Sequence, residues 1–416
     1  MSGPFGSTLK GDAYLSSGDI AFIRVQNIKG GFDINDNDLV YISNKDNEKI
    51  KSSSLQEGDL ILSKVGNSIG YFAKVSSDLG KCNISENNIG IKLSSYSDIE
   101  KSFILTYLNA KYANKLVLRR KSGNAQPKIN VDDLCRIPIL IFPKLSENIH
   151  NLIQLHEAYL NQSILSYKQA EDILNKELGI TNIENTKKYS VKSFSESFGE
   201  SNRLDAEYYQ DKYTQLFDII KNGKQLKELV TITKSIEPGS DEYKDEGIPF
   251  LRVSNLTKFG LTDSNVFLDR KKYENLLKPR KDTILFSKDG SIGIAYKAES
   301  DLDCITSGAL LHLSVKKTTI LPDYLALVLN SKIVQLQAER DSGGSIINHW
   351  RLPKIEMVLI PMLDYDIQNQ ISQKVQESFK LRKDSKNLIN VAIRAVELAI
   401  EKNEEYASQW LIENSN

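Results

Sequence analysis

Two stretches of this chain set a lysine beside a glycine loop. Ser63-Lys64 is followed by Gly66-Asn67-Ser68-Ile69-Gly70, and Ser287-Lys288 by Gly290-Ser291-Ile292-Gly293. Glycines let a backbone turn sharply and approach another surface closely. Backbone N–H groups, with Lys64 or Lys288 and the small polar residues Asn67, Ser68 and Ser291, would then suit phosphate oxygens, contacts that fix register without reading sequence. On the loops alone, a tight hairpin needed only by the fold is the favoured reading. Two further segments carry more chemistry: Ser122-Gly123-Asn124-Ala125-Gln126-Pro127-Lys128, and Ser342-Gly343-Gly344-Ser345-Ile346-Ile347-Asn348-His349-Trp350-Arg351. They are crowded with amide and cationic groups that match base edges. Arg120 and Lys121 precede the first.

No catalytic constellation is written in the chain. The phosphate-binding G-x-x-x-x-G-K-[ST] pattern is absent, as is a dinucleotide fingerprint after a strand. No carboxylate cluster suits a nuclease metal, and His150, His156, His312 and His349 form no metal-spaced pair. His312 lies in an apolar strand, as a core histidine does. Cys82, Cys135 and Cys304 are far apart, without a C-x-x-C pair, so they spell neither a zinc site nor a disulfide framework. Lys+Arg and Asp+Glu both total 54, so no global field draws the chain to a polyanion. Local basic patches remain: Lys111, Lys115, Arg119-Arg120-Lys121 and Lys128, and Arg270-Lys271-Lys272 with Lys278, Arg280 and Lys281. Such runs are also what a solvated face looks like. No apolar stretch approaches membrane-spanning length and no signal peptide opens the chain, so a cytoplasmic location is expected.

These features recur because the chain is duplicated. Phe22-Ile23-Arg24-Val25-Gln26-Asn27-Ile28 returns as Phe250-Leu251-Arg252-Val253-Ser254-Asn255-Leu256, and the lysine–glycine loops, the Ser-Gly loops and Phe142-Pro143/Ile360-Pro361 follow in the same order. Cys82 and Cys304 occupy equivalent places, as small buried side chains would. Each copy opens with short apolar runs broken by turn residues: Ile20 to Ile28, Leu39 to Ile42, Leu60 to Ser63, Tyr71 to Val75 and Ile89 to Leu93 in the first. These predict strands. Helical spacing follows at Ile104 to Val117 and at Tyr324 to Leu336, so each copy is an α+β body.

After Pro143 the apolar residues step by threes and fours from Ile149 through His156 to Leu178, predicting one long helix with a narrow packing seam. A matching stripe runs from about Asp366 to near Trp410, thinned at Arg382 and Ser385. His156 on the first seam is read as register-setting or peripheral rather than catalytic. The expected organisation is a body at 1–143, a long helix at 144–179, a connector at 180–202, a second body at 203–361 and a second long helix at 362–412.

The string Ser2-Gly3-Pro4-Phe5-Gly6-Ser7-Thr8-Leu9-Lys10 opens the chain, and Arg203-Leu204-Asp205-Ala206-Glu207-Tyr208-Tyr209 opens the second copy. With the repeated F-I-R-V-x-N-I element, the S-K-x-G…S-I-G loops, the Ser-Gly loops and the Ile/Phe-Pro before each long helix, they resemble the DNA-specificity subunit of type I restriction-modification systems. The resemblance covers nearly the whole chain. It implies two homologous target-recognition domains separated by two long antiparallel coiled-coil-like helices, each domain reading half of a bipartite double-stranded DNA target. It further implies docking of two modification methyltransferase subunits, with restriction subunits attached to them, and no active site in this chain. S-adenosylmethionine, ATP and Mg would be bound by the partners, and this chain would bind no cofactor and no metal.

A helix of about 30 residues spans roughly 45 Å, enough to set two readers one DNA turn, roughly 34–36 Å, apart. The DNA-facing residues expected are Lys64, Asn67, Ser68, Arg120, Lys121, Asn124, Gln126, Lys128, Lys288, Ser291, Ser342, Asn348, His349, Trp350 and Arg351. One departure from the family pattern is that no helical segment like Arg203 to Ile232 precedes the first body: either translation begins late, or the helix reaching Trp410 takes over its packing role. Two other readings stand beside this one: the DNA-recognition subunit of a different restriction or methylation machine, and a duplicated scaffold that binds only proteins.

Overall fold

A computed structural model of the chain describes all residues except 5–7, 10–12, 29–30, 36–38, 67–68, 124–126, 181–182, 185–188, 200, 317–318, 343–348 and 415–416. The chain divides into two units: unit 1 is Met1–Leu160 with Arg382–Asn416, and unit 2 is Asn161–Leu381.

In unit 1 the strand Ile20–Ile23 pairs antiparallel with Val40–Ile42 and parallel with Cys82–Ile84, which also pairs with Ser54–Leu55. A second sheet runs in the order Phe32–Asp33, Phe72–Lys74, Leu60–Ser63, Asn88–Ile91. Unit 2 repeats the plan. Ile248–Leu251 pairs antiparallel with Phe267–Leu268 and parallel with Ile305–Thr306. Its larger sheet runs Val230–Lys234, Leu310–Val315, Ile284–Ser287, Ala295–Lys297. The strands Ile20–Ile23 and Leu60–Ser63 are buried along their whole length, which explains their continuous rather than alternating apolar runs.

The apolar run Ile20 to Ile28 is not one strand. It stops at Ile23 because the Asn27 side chain accepts the Arg24 N–H (3.0 Å) and closes a turn. Asn255 does the same for Arg252, also at 3.0 Å. Each expected helix after the strands is a pair, Asp98–Asn109 with Lys111–Arg119 and Pro322–Asn330 with Lys332–Asp341. The breaks fall where Asn109 and Asn330 turn their amides onto strand backbone, at Phe72 and Ala295.

The first long helix is Pro143–Glu177 and the second Tyr365–Glu401. The second does not run to Trp410 as the stripe predicts. It ends near Glu401, and the Asn403 side chain caps the N–H of Tyr406 (2.9 Å) to start a separate helix, Glu404–Asn414. The long helices run antiparallel within unit 1: Glu404 accepts the N–H groups of Lys144 and Leu145 (2.6 and 3.0 Å), and Ser385 meets His156. Ile149, Ile153, Ala392, Val396 and Ala399 share one core there with Ala407 and Leu411, so the last helix does pack on the first body. In unit 2, Tyr167, Ala170, Leu174, Ile371 and Val375 join the second body, and Ser163 meets Ser378 at 3.1 Å. The stretch 180–202 is not a bare connector, since Ile183 is buried in the unit 2 core.

His156 sits in a fully paired pocket, 3% exposed. Nε2 lies 3.2 Å from Asp33 Oδ1, and Nδ1 lies 2.6 Å from Ser385 Oγ, while the Ser385 hydroxyl donates to the His156 carbonyl. An imidazolium with both nitrogens donating satisfies every group. His312 is 2% exposed, with Nε2 2.7 Å from Thr306 Oγ1, a core histidine as expected. Burial pushes the Cys82 and Cys304 thiols up to about 12, so both are inert packing groups.

Candidate nucleic-acid interface

The strand Leu60–Ser63 hands over to Lys64, whose N–H donates to the Asn87 carbonyl (2.7 Å) and whose own carbonyl accepts from Ile129 N–H (3.0 Å). The second contact seats the polar loop: Ser122 and Lys128 pair through both backbone bonds at 2.8 Å, and Gly66 N–H reaches the Pro127 carbonyl. In unit 2, Lys288 N–H donates to Ala309 (3.0 Å), and the Lys288 carbonyl accepts from Trp350 N–H (2.9 Å). Asp289 bridges His349 as Val65 bridges Lys128. The fold therefore brings Lys64 to Lys128, and Lys288 to His349, although more than fifty residues separate the partners in each pair.

The glycines of each loop divide their roles. Gly70 (φ +102°) and Gly293 (φ +78°) sit against the side chains of Asn114 and Gln335, whose amides donate to the glycine carbonyls at 2.8 Å. These positions belong to the fold. Gly66 and Gly290, also at positive φ, have no neighbour among the described residues where a side chain would project, which suits close approach by another molecule.

Of the expected residues, Asn67, Ser68, Asn124, Gln126 and Asn348 lie outside the described residues. Lys121, Lys128, Ser291, His349 and Arg351 are exposed, and Lys64, Arg120, Lys288 and Ser342 are half-buried. Lys64 Nζ reaches Ser2 Oγ at 3.3 Å, and the Arg120 guanidinium donates to the Arg136 carbonyl at 3.2 Å. Trp350 is a correction. It is 1% exposed, in the unit 2 core with its ring 5.8 Å from that of Phe286, and cannot face DNA. Its place in the duplicated frame is that of Ile129, also 1% exposed. The apolar counterpart was the available signal, outweighed by the polar company Trp350 keeps in sequence.

Asp289 was not anticipated. Its carboxylate pairs with the Lys288 ammonium and with His349 Nδ1 (2.8 Å). Burial pushes the Asp289 carboxyl up, but the hydrogen bonds from Lys288 and His349 outweigh it and hold it below its ordinary value. The strand-end lysine of unit 2 is thus neutralised, whereas Val65 stands at that place in unit 1 and Lys64 joins no ion pair among the described residues.

The basic patches differ in the same sense. Arg270 and Lys278 pair with Asp303 and Glu274, Lys272 with Glu242, and Arg280 with Asp301. Hydrogen bonds from Arg270 and Lys278 hold Asp303 down to about 2. In unit 1, Lys111 pairs with Glu397 and Glu401, while Lys115, Arg119, Lys121 and Lys128 join no ion pair among the described residues. Among the described residues, no group of three or more His, Cys, Asp or Glu could hold a metal ion, and no helix is long and apolar enough to cross a membrane.

Residues 221–393 match the family described as the type I restriction modification DNA specificity domain. The chain is similar to the type I restriction enzyme EcoBI specificity subunit of Escherichia coli, with 26% identity over 192 residues, 43% of this chain and 39% of that protein. The match thus spans about two-fifths of the curated relative's length. Among solved structures, the S subunit of a type I restriction-modification system from M. genitalium is 13% identical, covering 95% of this chain and 92% of that one, with a TM-score of 0.39. The HsdS subunit from Thermoanaerobacter tengcongensis is 15% identical, covering 92% and 90%, with a TM-score of 0.30.

Proposed function

We propose that this chain is the sequence-specific, double-stranded-DNA-binding specificity subunit of a type I restriction-modification complex. Each unit reads one half of a bipartite target. The chain positions two methyltransferase subunits and, through them, restriction subunits, and performs no catalysis itself. S-adenosylmethionine, ATP and Mg belong to those partners, and the complex works in the cytoplasm.

The observation that carries this reading is the duplicated seating of a divergent polar loop. Lys64 and Lys288 hold equivalent loops by equivalent backbone bonds, while the side chains presented, Lys128 in one and His349 with Arg351 in the other, differ. A constant frame with variable polar tips is what two different half-sites require.

Duplex affinity measured against salt tests it. Neutralised phosphates release counterions, so affinity falls steeply, with a slope of about −0.9 per phosphate; a chain that binds only proteins retains no specific duplex at any ionic strength. Lys121→Gln with Lys128→Gln is expected to shallow the slope by about 0.9 for each phosphate no longer neutralised. Arg270→Gln with Lys278→Gln leaves it unchanged, because those charges are already neutralised within the fold. Exchanging residues 1–143 for those of a relative should alter one half of the methylated motif and spare the other; a change in both halves would refute independent reading.

A further inference from the structure

Unit 1 contains a cleft of about 270 Å³ where the turn after Ile23 meets the turn at Ser85–Asn87. Its floor is the stacked pair Tyr14 and Phe22, ring centroids 5.4 Å apart and inclined at 30°, with Arg24 beside it. Its rim carries Gln26, Glu86 and Asn87, all exposed. The cleft adjoins the lysine loop, since the Asn87 carbonyl holds the Lys64 N–H.

Unit 2 supplies an internal comparison. Ser85 N–H bonds to Ile23 (2.9 Å) as Ser307 N–H bonds to Leu251 (2.8 Å), and Lys64 N–H bonds to Asn87 as Lys288 N–H bonds to Ala309. Glu86 and Asn87 therefore correspond to Gly308 and Ala309, and Gln26 to Ser254. The floor is retained there, with Tyr243 and Phe250 at 5.7 Å and 41° beside Arg252. The rim is not. Gly308 presents no side chain at the place Glu86 occupies, and Glu237 Oε1 lies 2.5 Å from where a Cβ would stand, so a carboxylate from another segment fills that space instead.

A shared floor with a rim that changes separates frame from reader. The rim chemistry fits base edges rather than phosphate: carboxamides match adenine in two-bond geometry, and a carboxylate accepts from the cytosine amino group, whereas Glu86 would repel a phosphate. We propose that Gln26, Glu86 and Asn87 are specificity-determining residues that read base edges of the half-site contacted by unit 1. This rests on the DNA-binding function proposed above.

Selection of a randomised duplex library by the full chain, followed by sequencing of the retained DNA, tests the assignment. The Gln26→Ala/Asn87→Ala variant should keep the parent melting temperature and its affinity for non-cognate duplex. Discrimination should fall on the order of tenfold or more at one or two adjacent positions of one half-site, the size a two-bond base contact supplies. Asn87→Asp, which keeps the shape but loses its donors, should change the preferred base at such a position instead of only relaxing it. Recovery of the parent motif by both variants overturns the assignment, as does an equal loss of affinity for every sequence. If the parent chain itself retains no duplex at low salt, DNA recognition fails and this assignment falls with it; an unchanged motif sinks this assignment alone.

Discussion

Replacing Trp350 with alanine is expected to cost unit 2 about 3–5 kcal/mol, the usual range for deleting a large aromatic from a packed core. The side chain is among the largest fully buried in the chain, and its backbone N–H fastens the polar loop to Lys288. The cavity therefore opens where the loop is anchored, and His349 and Arg351 lose their seat along with the core. Trp350→Phe should be much milder, because among the described residues the indole Nε1 has no hydrogen-bond partner, so its loss strands no acceptor there. The chain has two tryptophans; Trp410 packs against the unit 1 core and stays available to report that unit. Denaturant unfolding followed by circular dichroism, with Trp410 fluorescence reporting unit 1, should show the unit 2 transition moving to lower denaturant while unit 1 holds. A shift worth less than about 1 kcal/mol would contradict the core placement.

Acid and base are expected to weaken the two units in opposite directions. In unit 2, burial holds His312 down to about 4, so the fold keeps it neutral while an unfolded chain takes up a proton near 6.5. Its stabilisation is complete above about pH 6.5 and is lost as pH falls from there toward 4, a total of roughly 3 kcal/mol at 1.36 kcal/mol per pH unit. In unit 1, burial works against charge on His156, but the hydrogen bond and charge of Asp33, helped by the Ser385 carbonyl and Glu157, outweigh it and raise the imidazole above its ordinary value. That contribution is complete below about pH 6.5 and is lost as pH rises through the raised value. Trp410→Phe leaves Trp350 to report unit 2, and Trp350→Phe leaves Trp410 to report unit 1. His312→Leu should flatten the unit 2 response between pH 6.5 and 4, and His156→Gln the unit 1 response at higher pH. Parallel pH profiles for His312→Leu and its parent would refute the first claim.

The duplication, the strand-rich bodies and the long helices could be read from residue order, because periodicity and repeated strings are local properties of a chain. The same holds for Cys82, Cys304 and His312, where an apolar setting in sequence foretold burial. Other features depend on partners that only folding supplies. Asn27 and Asn255 end strands by turning back on Arg24 and Arg252, a competition between side chain and backbone that an apolar run conceals. Asn403 splits a continuous stripe into two helices by capping the second. Arg270 and Lys278 look like a DNA-facing patch until Asp303, distant in sequence, is placed beside them.

The sequence by itself determined that two related bodies exist, that each carries a lysine at a glycine loop followed by a divergent polar segment, and that paired long helices accompany them. Tertiary structure decided which of those polar segments' side chains reach the surface. Trp350 shares its loop with His349 and Arg351, yet faces the core, because successive residues of an extended segment point to opposite sides. It also decided where charge survives, leaving Lys128 unpaired among the described residues and neutralising Lys288 through Asp289. The cleft lined by Tyr14, Arg24, Gln26 and Glu86 exists only through folding, since its walls come from segments some sixty residues apart that meet when the strands Ile20–Ile23 and Cys82–Ile84 pair.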